Sequence, residues 1–201
     1  MKQRCAARRI NGSGRNPRSR NLEEYENKKL AAVLMTLCLI LTAAAAFADD
    51  AEPSVVNWSD YEADAAGIDG QFALISETGL KMFIPAEFTD TELSEETLAA
   101  GTFMVLKTEK EEKALVTAQL VAVDLDAFKT AMQKQGATLY DTVLNGLPCC
   151  QFNVEAEGVT IACFAFGTEQ GGILMFGFTL SNQEPYTSLY KVMASSIQLA
   201  D

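Results

Sequence analysis

The sequence predicts an α+β fold, an antiparallel sheet of about eight strands packed with helices and preceded by an export signal. Three observations carry that prediction. Apolar and polar residues alternate with period two over much of the stretch from Phe72 to Leu180. Asn145-Gly146 sits between two apolar runs, where a two-residue hairpin turn needs positive φ at both positions. Two further stretches, Leu125/Phe128/Met132 and Tyr186/Leu189/Val192/Met193/Ile197, have helical spacing instead. With 48% hydrophobic and 21% charged residues among 201, and only 5 Pro, the chain is too apolar for disorder and too Pro-poor for a fibre.

Charge divides the chain before any strand does. Residues 1–48 hold nine basic residues and three acidic ones, a local charge of +6, so the remaining 153 residues carry −17 of the net −11. Between them runs LAAVLMTLCLILTAAAAF (Leu30–Phe47), led by Lys28-Lys29 and followed by Ala48 and Asp49-Asp50. A basic flank, an apolar run and a small-x-small ending make residues 28–48 a signal peptide with Ala46 and Ala48 at the cleavage positions. The competing reading is an uncleaved anchor, since the run is long enough to cross a bilayer. Residues 1–27, rich in Arg, Asn, Gly and Ser, read as a disordered basic extension, or as sequence upstream of a translation start nearer Lys28. Cys38 lies mid-run without small residues before it, which argues against lipidation.

Residues 49–70 read as an acidic, mobile leader in which Trp58 and Tyr61 dock locally, and 71–201 as one α+β domain. Phe72 and Leu74, then Leu80, Met82 and Ile84, alternate around Thr78-Gly79 as a first hairpin. Thr89 with Glu92 resembles a capping box opening a short acidic helix that ends at Gly101. Thr102–Lys107 and Ala114–Val123 read as strands, the second apolar on both faces and therefore central. Asp124 caps a helix closed by Gly136. Ala137–Val143, Leu147–Val154, Val159–Phe166 and Ile173–Leu180 form a meander, and Pro185 opens the last helix.

The chemistry-bearing residues are few. Histidine is absent, so a triad, proton relay or metal site built on imidazole is excluded. Cys149, Cys150 and Cys163 follow the signal. A turn at Ala156-Glu157 sets Cys150 directly opposite Cys163; a turn at Glu157-Gly158 makes them diagonal; both put the two sulfurs on one face. A disulfide between Cys150 and Cys163 is the candidate site, against two small buried hydrophobes. Cys149 points the other way, without the redox spacing or a basic neighbour in sequence. Asp60, Glu62, Asp64 and Asp69 lack the Gly and the terminal bidentate acid of a calcium loop, with Ala65 and Gln71 in those places. Neither a catalytic set, a metal site nor a cofactor site is expected.

The order GLKMFIPAEF, ALVTAQLVAV, LDAFKTAMQKQG, NGLP, a long apolar hairpin and a closing helix ending ASSIQL resembles the Mog1/PsbP-like superfamily over Gln71–Leu199. It is also similar to small exported proteins of uncharacterised function in gut Firmicutes. That resemblance implies an α/β/α sandwich and an accessory or binding role, without the metal-binding histidines of the photosystem members. The expected function is a secreted or envelope-associated binding module with an unknown protein or small-molecule partner, neutral or cationic. Nucleic acid is not expected, because the acidic domain repels it, and membrane is met only through residues 30–48 if they stay uncleaved. The alternatives are a thiol-dependent redox or stress-related exported protein and a membrane-tethered display domain.

Overall fold

Every residue of Ile173–Thr179 is buried, and the main sheet is built outward from this stretch. The computed structural model describes residues 52–156 and 158–200. In chain order these form β1 (Ser54–Val56), a 3-10 turn (Trp58–Asp60), α1 (Glu62–Ala65), β2 (Gly70–Leu74), a second 3-10 turn (Ser76–Thr78), β3 (Leu80–Pro85) and β4 (Phe88–Asp90). Then follow α2 (Glu95–Ala99), β5 (Thr102–Thr108), β6 (Leu115–Val121), α3 (Leu125–Lys134), β7 (Leu139–Leu144) and β8 (Leu147–Ala156). The chain closes with β9 (Val159–Gly167), β10 (Ile173–Thr179), α4 (Tyr186–Ser195) and β11 (Gln198–Leu199). The extension 1–27, the export segment 28–48 with Ala46 and Ala48, and residues 49–51 lie outside the described residues.

The eight-stranded sheet has the order β1-β7-β8-β9-β10-β6-β5-β4, and β11-β3-β2 form a second sheet. Antiparallel register puts Phe152 and Cys163 on one face and Phe164 and Phe178 on the other. Helix α3 covers the first face, Phe128 meeting Phe152 at 5.5 Å between ring centroids. Its start is set by Asp124, whose carboxylate accepts from the Asp126 and Ala127 N–H groups. On the opposite face α4 packs Tyr190 against Phe178 at 5.4 Å and Phe88 at 6.0 Å. The result is an α+β sandwich, with β6 and β10 interior and buried on both faces over most of their length.

Several expectations are corrected. Residues 54–70 are not a mobile leader: β1 pairs parallel with β7, Ser54 opposite Thr142 and Val56 opposite Leu144. Trp58 packs on Phe72 and Phe83 at 5.5 and 6.3 Å. A three-residue strand is too short for a period to register, and its stability comes from the edge it completes. Thr89 caps no helix, because burial of Phe88 draws its segment into β4 against β5. Ser94 is the cap of α2, accepting from the Thr97 N–H at 3.2 Å. The hairpin β2–β3 has the predicted limits but belongs to the small sheet, and Phe72 and Leu74 are exposed. Asn145 and Gly146 take φ of 50° and 82°, as the two-residue turn requires.

Candidate functional site

Register decides the cysteines first. Ala156 pairs with Val159, so Cys150 faces Ala165 while Cys163 faces Phe152. The two share a face but sit diagonally, about 7–8 Å apart between Cα atoms, beyond the about 4.4–6.8 Å that a disulfide spans. All three thiols are free and buried, with Cys150 and Cys163 diagonal on their shared face rather than directly opposite. Burial pushes Cys163 up to about 12. Burial, followed by Cys150 and Asp141, pushes Cys149 up to about 12. Burial also pushes Cys150 up to about 11, with the Lys129 ammonium opposing it and Asp141 adding to it. Lys129 is itself held by Asp141, its Nζ donating to both carboxylate oxygens at 2.7 and 2.9 Å. Thiols so placed stay protonated near neutral pH and are poor nucleophiles.

The acidic residues Asp60, Glu62 and Asp64 lie on the 3-10 turn and α1, and Asp69 just before β2. Among the described residues no group of three or more Cys, Asp or Glu side chains comes together in a way that would hold a metal ion. No helix among them is long and apolar enough to cross a membrane.

What the structure does assemble is a cleft of about 880 Å³ at one end of the main sheet, on the face that carries α4. Its inner wall is Phe166 and Leu174, cross-strand partners on β9 and β10. Leu120, opposite Leu174 on β6, continues that wall toward solvent. Leu98 of α2 and Leu199 of β11 stand at the cleft as well, and these three leucines are 53%, 52% and 62% exposed. Leucines left that open on three separate elements are the notable feature, because scattered single exposures are ordinary whereas convergent ones mark a contact surface.

The backbone around the cleft is held tightly. Gly101 accepts from the Leu120 N–H at 2.9 Å and has φ of 87°; a Cβ there would fall 2.3 Å from the Leu120 carbonyl oxygen. Only glycine permits so close an approach at that φ. Next to it, Thr102 pairs with Gln119 but Met104 with Ala118, a bulge that leaves Phe103 as the extra residue and turns it to the cleft. The loop after β9 ties itself: Thr168 Oγ1 accepts from the Gly172 N–H at 2.9 Å, and the Thr168 N–H donates to the Gly172 carbonyl at 2.9 Å. That loop presents Glu169, the one charged side chain among the described residues that line the cleft.

None of these lining residues is singled out by sequence patterning. Leu98 is a lone apolar residue in an acidic helix, Leu120 blends into a continuous apolar strand, and Leu199 follows the last helix. Leu98, following Glu95 and Glu96, is the available signal, and Leu93 beside Glu92 gives the same one without lining the cleft.

Fold and site together define an α+β sandwich with an open cleft at one end of its sheet, leucines and phenylalanines on its wall alternating with polar residues such as Thr78, Thr102, Thr168 and Gln170. No protein-family model matches the chain, and no curated protein sequence matches it either. Among solved structures it is similar to cyanobacterial PsbP (CyanoP) from Synechocystis sp. PCC 6803, with 14% identity over 66% of this chain and 94% of that one, TM-score 0.46. It is similar also to the Ran-binding protein Mog1p of Saccharomyces cerevisiae, at 13% identity over 67% of this chain and 97% of that one, TM-score 0.42. A protein from Bacteroides thetaiotaomicron is similar at 13% identity and TM-score 0.43 over 67% of this chain, which spans 50% of that protein. Fold alone assigns no site.

Proposed function

We propose that this chain is a non-catalytic binding module of an extracytoplasmic compartment, and that the cleft receives the apolar body of a neutral or cationic ligand. The observation that carries this reading is the convergence of Leu98, Leu120 and Leu199 on one concave surface where, among the described side chains, Glu169 is the charged one. Covering apolar surface releases about 25 cal/mol per Å², so leaving three leucines open is a standing gain for whatever seats there. The acidic balance of residues 49–201, 24 acids against seven lysines, disfavours anionic ligands. The location rests on the signal read at residues 28–48, and is tested by whether released material begins at Asp49.

The test of the binding reading is titration with N-phenyl-1-naphthylamine, an uncharged probe that brightens in apolar surroundings. Wild type should give saturable enhancement, and Leu120→Lys should lose most of it while keeping the wild-type far-UV spectrum and melting temperature. Equal enhancement in both proteins would move binding away from this cleft.

A further inference from the structure

We propose that the ligand of this cleft is a cationic amphipathic peptide, seated as a short helix with its apolar face on Leu98, Leu120 and Leu199 and its basic side chains toward Glu169. This rests on the reading of the cleft as a binding site and adds the identity of its occupant.

Shape is the first ground. A ligand enclosed by a small-molecule pocket buries most of its surface, but here the three leucines are each more than half exposed, so one occupant must be broad enough to cover all of them. One helical turn with its side chains, about 10–12 Å across and 5.4 Å long, fills about 500 Å³. A cleft of about 880 Å³ therefore takes between one and two turns. Leucines arriving from a helix, a central strand and a terminal strand form the kind of apolar groove into which an amphipathic helix lays residues spaced three and four apart.

Charge is the second ground, and it separates the occupants. Among the described side chains the lining contains Glu169 and no lysine. Glu95 lies three residues before Leu98 on α2, hence along the same side of that helix. Beyond the cleft, residues 49–201 carry −17. A fatty acid would bring its carboxylate against this field, an anionic lipid surface would be repelled by it, and a second copy would add −17 to −17. A basic, leucine-rich helix meets both demands at once: apolar contact in the cleft and opposite charge around it, which speeds encounter and fixes orientation.

The test uses the full chain and two fluorescein-labelled peptides of about 14 residues, near the minimum for an isolated helix. One alternates Leu and Lys at amphipathic spacing; the other has Glu in place of every Lys. Anisotropy should show the Lys peptide binding about tenfold or more tightly than the Glu peptide at low ionic strength, with affinity falling as salt rises. Leu120→Lys and Glu169→Lys should each weaken it about fivefold or more. Leu199→Lys, near the chain end, answers the same question where Leu120→Lys fails to fold. Equal binding of the two peptides, or undiminished binding by the leucine variants, would overturn the proposal. If N-phenyl-1-naphthylamine still saturates wild type and not Leu120→Lys in that case, the peptide assignment falls and the binding-site reading stands; if neither ligand binds, both fall.

Discussion

Asn145 Nδ2 donates to the Ser195 carbonyl at 2.7 Å, tying the turn between β7 and β8 to the last turn of α4, fifty positions away in the chain. The same amide donates to the Ile197 carbonyl at 2.8 Å, and Asn145 Oδ1 accepts from the Trp58 N–H at 2.6 Å. One side chain therefore joins the N-terminal segment, the meander turn and the C-terminal end of α4. Asn145-Gly146 and Ser195-Ser196-Ile197 are thus parts of one hydrogen-bonded junction.

Replacing Asn145 separates its two roles. Asn145→Gly keeps the positive φ and loses the three side-chain bonds; Asn145→Ala loses both. Urea unfolding should show Asn145→Ala destabilised by about 2–4 kcal/mol and Asn145→Gly by about 1 kcal/mol less. Equal losses would mean that the left-handed backbone contributes nothing.

Ser196 performs a similar task for the small sheet. Its Oγ accepts from the Phe83 N–H at 2.7 Å and donates to the Met193 carbonyl at 2.6 Å. Ser196→Ala leaves a buried β3 N–H without its acceptor, at an expected loss of about 1–3 kcal/mol. Hydrogen exchange should localise the effect, with the Phe83 amide losing protection before the amides of β9 and β10 do. Uniform loss would mean that the small sheet does not open separately.

The thiols predict a specific alkaline weakness. Their folded pKa values of about 11–12 lie above the ordinary 9.0, so above pH 9 the unfolded chain releases protons that the folded chain retains. Their stabilising contribution is complete below pH 9 and is lost as pH rises toward 11–12, at up to about 1.4 kcal/mol per pH unit for each thiol. Tyr190, whose pKa is raised by burial, acts in the same direction at higher pH. The slope of urea stability against pH should flatten in Cys163→Ala. All three thiols should resist alkylation at pH 8 in native protein and react on unfolding; fast native reaction would contradict their burial.

Gly101 links local geometry to the cleft. In Gly101→Ala the new Cβ meets the Leu120 carbonyl oxygen at a φ unsuited to alanine, whereas Gly146→Ala has a similar φ and nothing within 4 Å. Gly146→Ala should lose about 1 kcal/mol and leave probe binding intact. Gly101→Ala should lose at least about 2 kcal/mol and weaken N-phenyl-1-naphthylamine binding, because Leu120 must move. Indistinguishable variants would sever that link.

Much of the sheet was legible because its signals are local. Asn145-Gly146 has one favoured use, Asp124 stands just before a clear helical period, and β6 and β10 are predominantly apolar runs buried over most of their length. Other features depend on distant partners. Phe72 and Leu74 alternate as a half-buried strand would, yet β2 joins a separate small sheet in which both remain exposed. Val55 and Val56 form a strand only because β7 leaves an edge open to them. A one-residue shift of the β8–β9 turn is enough to move the partners of Cys150 and Cys163 by two residues. The cleft was the least legible, since Leu98, Leu120 and Leu199 meet only after the strands between them are placed.

The most direct measurement is a methyl NMR titration of the leucine-labelled protein with N-phenyl-1-naphthylamine, which reads occupancy residue by residue. Leu98, Leu120, Leu174 and Leu199 should shift together along one saturation curve, while Leu74, 70% exposed on the small sheet and outside the cleft lining, should stay still. Shifts centred on Leu74, or spread evenly over the exposed methyls, would contradict the assignment of ligand binding to this cleft.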